Sequence, residues 1–279
     1  MRRITSTWQE YFRNRNEGLG TTYERFILHR YFERIKYRYE IQSLLEAPSF
    51  GMTGVSGINS LWWALGGSRV TVVDSDRERI ELIKGVWKAL SLEAAFVCEQ
   101  GEHQSLPFKD NSFDMGWNFA ALSAVPRLEK FLNELTRVSR KAVFICIPNR
   151  LNILNRLWMA SKKNQAVLNE QNMNLAKIKG IMLRLKWQVQ EEGFFDVPPW
   201  PDIAMNKEDL LYSIGLKSLA GSLREREGNA ICIIDYFNGM KKEMKWEVLR
   251  YSFLENAPLF FKRLWAHHHF LIFAPKQET

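Results

Sequence analysis

The most constraining feature of this chain is a repeated alternation between Ile41 and Ile147, where short apolar runs alternate with amphipathic stretches of helical spacing. Ile41 to Leu45, Arg69 to Asp74, Ala94 to Cys98, Phe113 to Trp117 and Ala142 to Ile147 read as strands. Asn59 up to the Gly66-Gly67 stop, Asp76 to Leu90, and Leu128 to Val138 read as helices. Strands separated by whole helices cannot pair as tight hairpins, and strands this apolar need cover on both faces. The pattern therefore predicts an α/β fold: a parallel sheet with helices on both faces and right-handed crossovers.

The flanks are less regular. Residues 1–45 are expected to form an N-terminal helical cap, with Thr21-x-x-Glu24 as a capping box and Tyr23, Ile27, Tyr31 and Ile35 as its apolar stripe. Residues 46–149 are expected to form the cofactor-binding core. Residues 150–205 read as a helical insertion with a stiff Pro198-Pro199-Trp200-Pro201 loop. Its second helix is expected to carry Leu175, Ile178, Met182, Leu185 and Val189 on one face. In residues 206–279, Asn206 to Gly215 reads as a helix, and Ala230 to Phe237 and His267 to Ala274 as the last strands completing the sheet.

The net charge of +8 sits almost wholly in residues 150–190, which carry eight basic side chains and one acidic. No nucleic-acid motif accompanies that excess, and no nucleic-acid partner is expected. The segment fits a packed helix pair with a solvated outer face, a lid over an acceptor site, or a peripheral contact with a lipid surface. Of the two functional readings the lid is preferred. The three cysteines, Cys98, Cys146 and Cys232, lie far apart in apolar runs, as buried reduced thiols do. With a polar N-terminus and no apolar run of about 18 residues, a cytoplasmic protein is expected.

Chemistry concentrates at four places. The loop Gly51-Met52-Thr53-Gly54-Val55-Ser56-Gly57 lies between a strand and a helix, where glycines admit a ligand close to the backbone. Asp74 ends the strand Val70 to Val73, placed to accept hydrogen bonds from ribose hydroxyls. Dinucleotide-dependent dehydrogenases share both features. The third place separates the two classes: Gly101-Glu102-His103-Gln104-Ser105-Leu106-Pro107-Phe108-Lys109-Asp110-Asn111-Ser112-Phe113-Asp114. The fourth is Trp117-Asn118-Phe119, just beyond it.

The stretch from Gly101 to Asp114, and the motif order over residues 41–149, resemble class I S-adenosylmethionine-dependent methyltransferases. The resemblance implies a Rossmann-like, mostly parallel seven-stranded sheet with an insertion after the fifth strand, and S-adenosyl-L-methionine as cofactor. It also implies that Gly51, Thr53, Gly54 and Gly57 wrap the methionine end of the cofactor, and that Asp74 with Ser75 holds the ribose. Glu102 would meet the adenine amino group and His103 would offer its amide to the ring, while Asn118 and Phe119 lie near the sulfonium. One departure is visible: Glu46 is separated from Gly51 by Ala47-Pro48-Ser49-Phe50, so the loop is longer than the family's usual one. Either Glu46 keeps its role with an expanded turn, or the contacts shift downstream.

Methyl transfer by direct displacement relies on alignment and exclusion of water. Phe119, Trp117 and Tyr23 are candidate aromatic faces for the cation, and Tyr23 is counted among the cofactor contacts. No base stands out. Asp196, His267 and His269 are the candidates, and no metal is expected. The expected function is methyl transfer to a small-molecule acceptor. The alternatives are a nucleotide-dependent oxidoreductase on the same sheet, or a non-catalytic methyltransferase-like partner protein.

Overall fold

A computed structural model describes residues 8–13, 16–49, 54–101, 103–153, 170–199 and 231–276. Seven strands form one sheet: β1 (Ser43–Glu46), β2 (Arg69–Asp74), β3 (Ala95–Cys98), β4 (Phe113–Phe119), β5 (Ser139–Pro148), β6 (Trp187–Phe195) and β7 (His268–Pro275). Their spatial order is β3-β2-β1-β4-β5-β7-β6. β1 is central, pairing Leu44 with Val70 on one side and with Met115 on the other, both in parallel. β7 runs antiparallel to β5 and β6, so the sheet is mixed, with β7 alone reversed.

Helices cover both faces. On one face α2 (Gly18–Tyr39), preceded by the short α1 (Trp8–Arg13), buries Tyr23, Phe26, Ile27, Phe32 and Ile35 in a core with Trp63, Trp117 and Phe144. That core also takes in α3 (Leu61–Leu65) and α4 (Arg77–Ala89). The Asp76 carboxylate caps α4 by accepting the Arg79 amide at 3.1 Å. On the other face α5 (Leu128–Val138) and α6 (Leu175–Arg184) bury Leu132, Leu135, Ile178 and Met182 against Val143, Ile145, Leu271 and Phe273. Three short helices, α7 (Ile233–Phe237), α8 (Met244–Leu249) and α9 (Leu259–Trp265), precede β7.

Several expectations need correction. α2 begins at Gly18 with Glu17 as its cap residue, so Thr21 and Glu24 lie within the helix and form no capping box. The Thr22 hydroxyl instead donates to the Gly18 carbonyl at 2.9 Å. The helical stripe from Leu175 does not reach Val189: Lys186 takes a left-handed φ of 64°, the helix stops, and Val189 lies in β6, 38% exposed. The stretch expected to be a helical insertion thus contains the sixth strand. The excursion among the described residues falls between β6 and β7. The described part of the expected strand Ala230 to Phe237, residues 231–237, contains no strand: Ile233 to Phe237 is helical and packs on α2, with Tyr236 5.1 Å from Phe26 ring to ring. A run this short and apolar suits either state, and packing decides it. Trp117-Asn118-Phe119 is the end of β4 and does not follow it. The Asn206 to Gly215 helix, and residues 154–169 of the basic segment, lie outside the described residues. No described helix is long and apolar enough to cross a membrane.

Candidate functional site

In an open α/β sheet, ligands bind beyond the carboxyl ends of the strands, where loops and helix N-termini converge. Along that edge the chain builds two adjoining clusters, one over β1, β2 and β3 and one over β4, β6 and β7.

The first cluster is organised by carboxylates. Asp74, at the end of β2, is 1% exposed. It accepts the Ser49 hydroxyl at 2.6 Å, the Asp76 amide at 2.9 Å and the Arg79 guanidinium at 3.2 Å. Any ribose hydroxyl bound here competes with Ser49 and Arg79 for those oxygens. Ser75 beside it is exposed. Glu46, at the end of β1, accepts the Ser60 hydroxyl at 2.6 Å, and that hydroxyl in turn accepts the Trp117 indole N–H at 3.1 Å. Burial raises the Glu46 carboxyl to about 7.

The glycine loop is pinned from the side. Glu17 and Arg25 form a buried ion pair at 2.6 Å, with side chains 0% and 3% exposed. Glu17 also accepts the Val55 amide, and Arg25 donates to the Val55 carbonyl and to Asn59. Gly54, at φ +78°, has no room for a side chain, because a Cβ would stand 2.5 Å from Glu17 Oε1. Gly57, at φ +68°, would bring a Cβ to 2.6 Å from Ile83 of α4. Gly57 therefore serves close loop-to-helix packing, with its carbonyl accepting the Trp87 indole at 2.8 Å. Gly51, Thr53 and Glu102 lie outside the described residues. Glu99, which nothing in the sequence singled out, accepts the amides of Gly101 and His103 just beyond β3. His103 is buried at φ +59°.

Two buried polar atoms here lack a hydrogen-bond partner among the described residues: Ser56 Oγ in the glycine loop and His103 Nδ1 beyond β3. A nucleoside, with hydroxyls and ring nitrogens, supplies what such atoms need, so the residues present fit a nucleoside cofactor.

The stretch from Leu106 to Asp114 proves to be architecture. Arg137 of α5 donates to the carbonyls of Leu106 at 3.0 Å and Phe108 at 2.8 Å, and pairs with Glu134 and Asp110. Asp114 accepts the amides of Gln42 and Ser43 and pairs with Arg140 at 2.8 Å, joining β4 to the start of β1. Burial alone would raise its carboxyl, but the Arg140 guanidinium, those amides and Lys141 hold it down at about 2. Asn118 is likewise a bracket: its amide donates to the Ala47 carbonyl at 2.9 Å and its oxygen accepts the Ala121 amide.

The second cluster gathers residues distant in sequence. The antiparallel register sets Phe195 opposite His268 and so carries Asp196 to His267. His267 Nδ1 lies 2.8 Å from Asp196 Oδ2. His268 Nε2 lies 2.8 Å from Glu24 Oε2 of α2 and 3.9 Å from Asp196 Oδ2. Glu255 accepts the Tyr23 hydroxyl at 2.9 Å and the Val197 amide at 2.6 Å. Tyr23 thus joins this cluster through its hydroxyl. Phe119 closes it from β4, its ring 4.8 Å from His268. Burial raises the carboxyls of Asp196 and Glu255, the latter to about 7. The candidates His267 and His269 are parted: His269 points to the α6 side, 2.9 Å from Glu192, which itself pairs with Lys179 of α6. His268, Glu24 and Glu255 are not legible in the sequence as members of a site, Glu24 reading there as a helix-capping acid. Only the triple histidine hinted at the first, and nothing local marks the others.

Residues 51–147 match the family model described as a methyltransferase domain. Over 160 residues the chain is 25% identical to Sterol methyltransferase-like 2 of Botryococcus braunii, covering 57% of this chain and 40% of that protein. The chain spans about two fifths of the length of that curated relative. Among solved structures it is similar to a provisionally assigned sarcosine dimethylglycine methyltransferase from Galdieria sulphuraria, at 11% identity and a TM-score of 0.51, over 89% of this chain and 86% of that one. A provisionally assigned methyltransferase from Bacillus halodurans is similar at 12% identity and a TM-score of 0.51, over 88% and 98%. At such identities these two establish the shared fold.

Proposed function

We propose, from the premise that this chain belongs through residues 51–147 to the class I S-adenosylmethionine-dependent methyltransferase family, that it transfers a methyl group to a small-molecule acceptor. The single observation that carries the reading is the adjacency of the two clusters on one sheet edge. A nucleoside-compatible cradle over β1 to β3 abuts an aromatic and ionisable pocket wall over β4, β6 and β7.

When bound, S-adenosyl-L-methionine supplies a methyl group made electrophilic by the positive sulfur. The residues described would serve it as follows. Asp74 holds ribose hydroxyls, Ser56 and His103 meet polar atoms of the nucleoside, and the loop through Gly54 and Gly57 approaches the methionine end. Phe119 stands between the two clusters and shields the transfer region from water, which keeps the reacting groups aligned. Asp196 with His267, at 2.8 Å, can take a proton from an acceptor that must lose one. The extra loop length after Glu46 shifts contacts downstream, because Glu46 is committed to Ser60.

Calorimetric titration with S-adenosylhomocysteine tests this. Saturable one-to-one binding with no response to NADH is expected. Binding of NADH and not S-adenosylhomocysteine would replace the reading with the oxidoreductase one. A second reading has one observation in its favour: both Asp74 oxygens are engaged by the chain itself. If those bonds bar a ribose from Asp74, the protein is a methyltransferase-like partner without turnover, and neither ligand would bind.

A further inference from the structure

The cluster over β6 and β7 gathers three carboxylates, from Glu24, Asp196 and Glu255. Glu24 and Asp196 have side chains 12% and 3% exposed, and partly buried Glu255 adjoins them. Among the described residues no lysine or arginine forms an ion pair with any of the three. Enclosed carboxylates are stabilised by hydrogen bonds or by a shared cation.

The donor atoms are arranged for the second course. One atom each from Glu24, Asp196 and His268 lie within 4.8 Å of one another. The separations from His268 Nε2 are 2.8 Å to Glu24 and 3.9 Å to Asp196. With metal–ligand bonds of about 2.0–2.2 Å, donors around one ion stand roughly 3 to 3.5 Å apart, inside that range. Asp196 Oδ1 and Glu255 Oε2 are buried without a hydrogen-bond partner among the described residues, as is His268 Nδ1, the ring nitrogen away from Glu24. Asp196 therefore has a second carboxylate oxygen still to satisfy, and its first is oriented by His267, as outer-sphere histidines and carboxylates orient metal ligands.

We propose that Glu24, Asp196 and His268 bind a divalent transition-metal ion of the zinc and manganese class, with His267 and Glu255 flanking it. The imidazole donor favours that class over calcium or magnesium. The site joins α2, the end of β6 and the start of β7, so a bound ion would tie the N-terminal helix to the sheet beside Phe119. It does not depend on the identity of the acceptor, nor on methyl transfer itself.

The test uses the full chain, stripped with a chelator, dialysed, and titrated with Co2+ while visible absorption is recorded. One equivalent of Co2+ should bind with d–d bands, Zn2+ should displace it, and Zn2+ should raise the melting temperature. Glu24→Gln and His268→Gln should each weaken Co2+ binding at least tenfold, whereas His269→Gln, on the opposite face with Glu192, should leave it unchanged. Folded wild-type protein that shows no saturable Co2+ or Zn2+ binding at neutral pH overturns the proposal. So does Co2+ binding retained in both folded variants. The wild-type titration decides even where a variant fails to fold.

Discussion

On the β1–β2 side of the sheet edge, Asp74 meets Arg79 at 3.2 Å and Glu17 meets Arg25 at 2.6 Å. On the β6–β7 side, Asp196 meets His267, while Glu255 accepts hydrogen bonds from a tyrosine hydroxyl and a backbone amide, with Lys262 acting on it at longer range. Arginine keeps its charge at any relevant pH, so these two acids on the first side each have a permanent cation beside them. Histidine and tyrosine supply no permanent charge, so the hydrogen-bond partners on the second side hold its acids without a guanidinium. One side is built to hold a shape, and the other has capacity left to bind or exchange a cation.

The contrast can be broken most sharply at the buried arginine. Arg25→Met leaves Glu17 enclosed without its cation, and should cost about 3–5 kcal/mol in urea unfolding. A loss below about 1 kcal/mol would mean that this ion pair is no firmer than a surface one, and the two sides would not differ as described. Next comes ligand affinity. Asp74→Ala should weaken S-adenosylhomocysteine binding by about 1.5–3 kcal/mol, measured by calorimetry. An unchanged dissociation constant would move the nucleoside away from β2.

Glu46 supplies a pH test within the first side. Its folded carboxyl lies at about 7 against an ordinary 4.5, so the folded state binds the extra proton between those values. The stabilisation is whole below about 4.5 and is lost as pH rises toward 7. His29, lowered by burial to about 3 from 6.5, acts in the opposite sense, losing stability as pH falls below 6.5. The clean readout is therefore a difference. Glu46→Gln should gain on wild type by on the order of 2 kcal/mol between pH 5 and pH 8. A gap independent of pH would show that Glu46 is ionised throughout. The smallest effect is expected at the surface. Arg184→Ala, which removes the exposed 2.7 Å bridge to Glu129, should change stability by less than about 1 kcal/mol. A larger loss would mean that α6 is held by charge and not by Ile178 and Met182.

Legibility followed the same division. The strands and helices from β1 to β5 could be read because each is a local period closed by its own stop: Gly66-Gly67 after α3, Asp76 before α4, Asp74 at the end of β2. The stretch from Leu106 to Asp114 was recognisable as a family mark, yet its work is done by partners the eye does not connect to it, Arg137 from α5 and Arg140 from β5. β6 was hidden because the three-and-four spacing from Leu175 to Leu185 runs on to Val189, and only the left-handed turn at Lys186 interrupts it.

By itself, then, the sequence determined the α/β class, the position of the glycine loop before α3, and the acid closing β2, since each rests on residues within a few positions of one another. Tertiary structure alone decided that Tyr23 faces Glu255, that Gly57 packs on Ile83, and that Glu24, Asp196 and His268 meet. Those contacts span up to 244 positions and follow from reversing β7 between β5 and β6 and from laying α2 across the same face. No local pattern encodes such a meeting, because burial of a whole helix face and a whole strand pair sets the register, and the polar side chains are carried there with it.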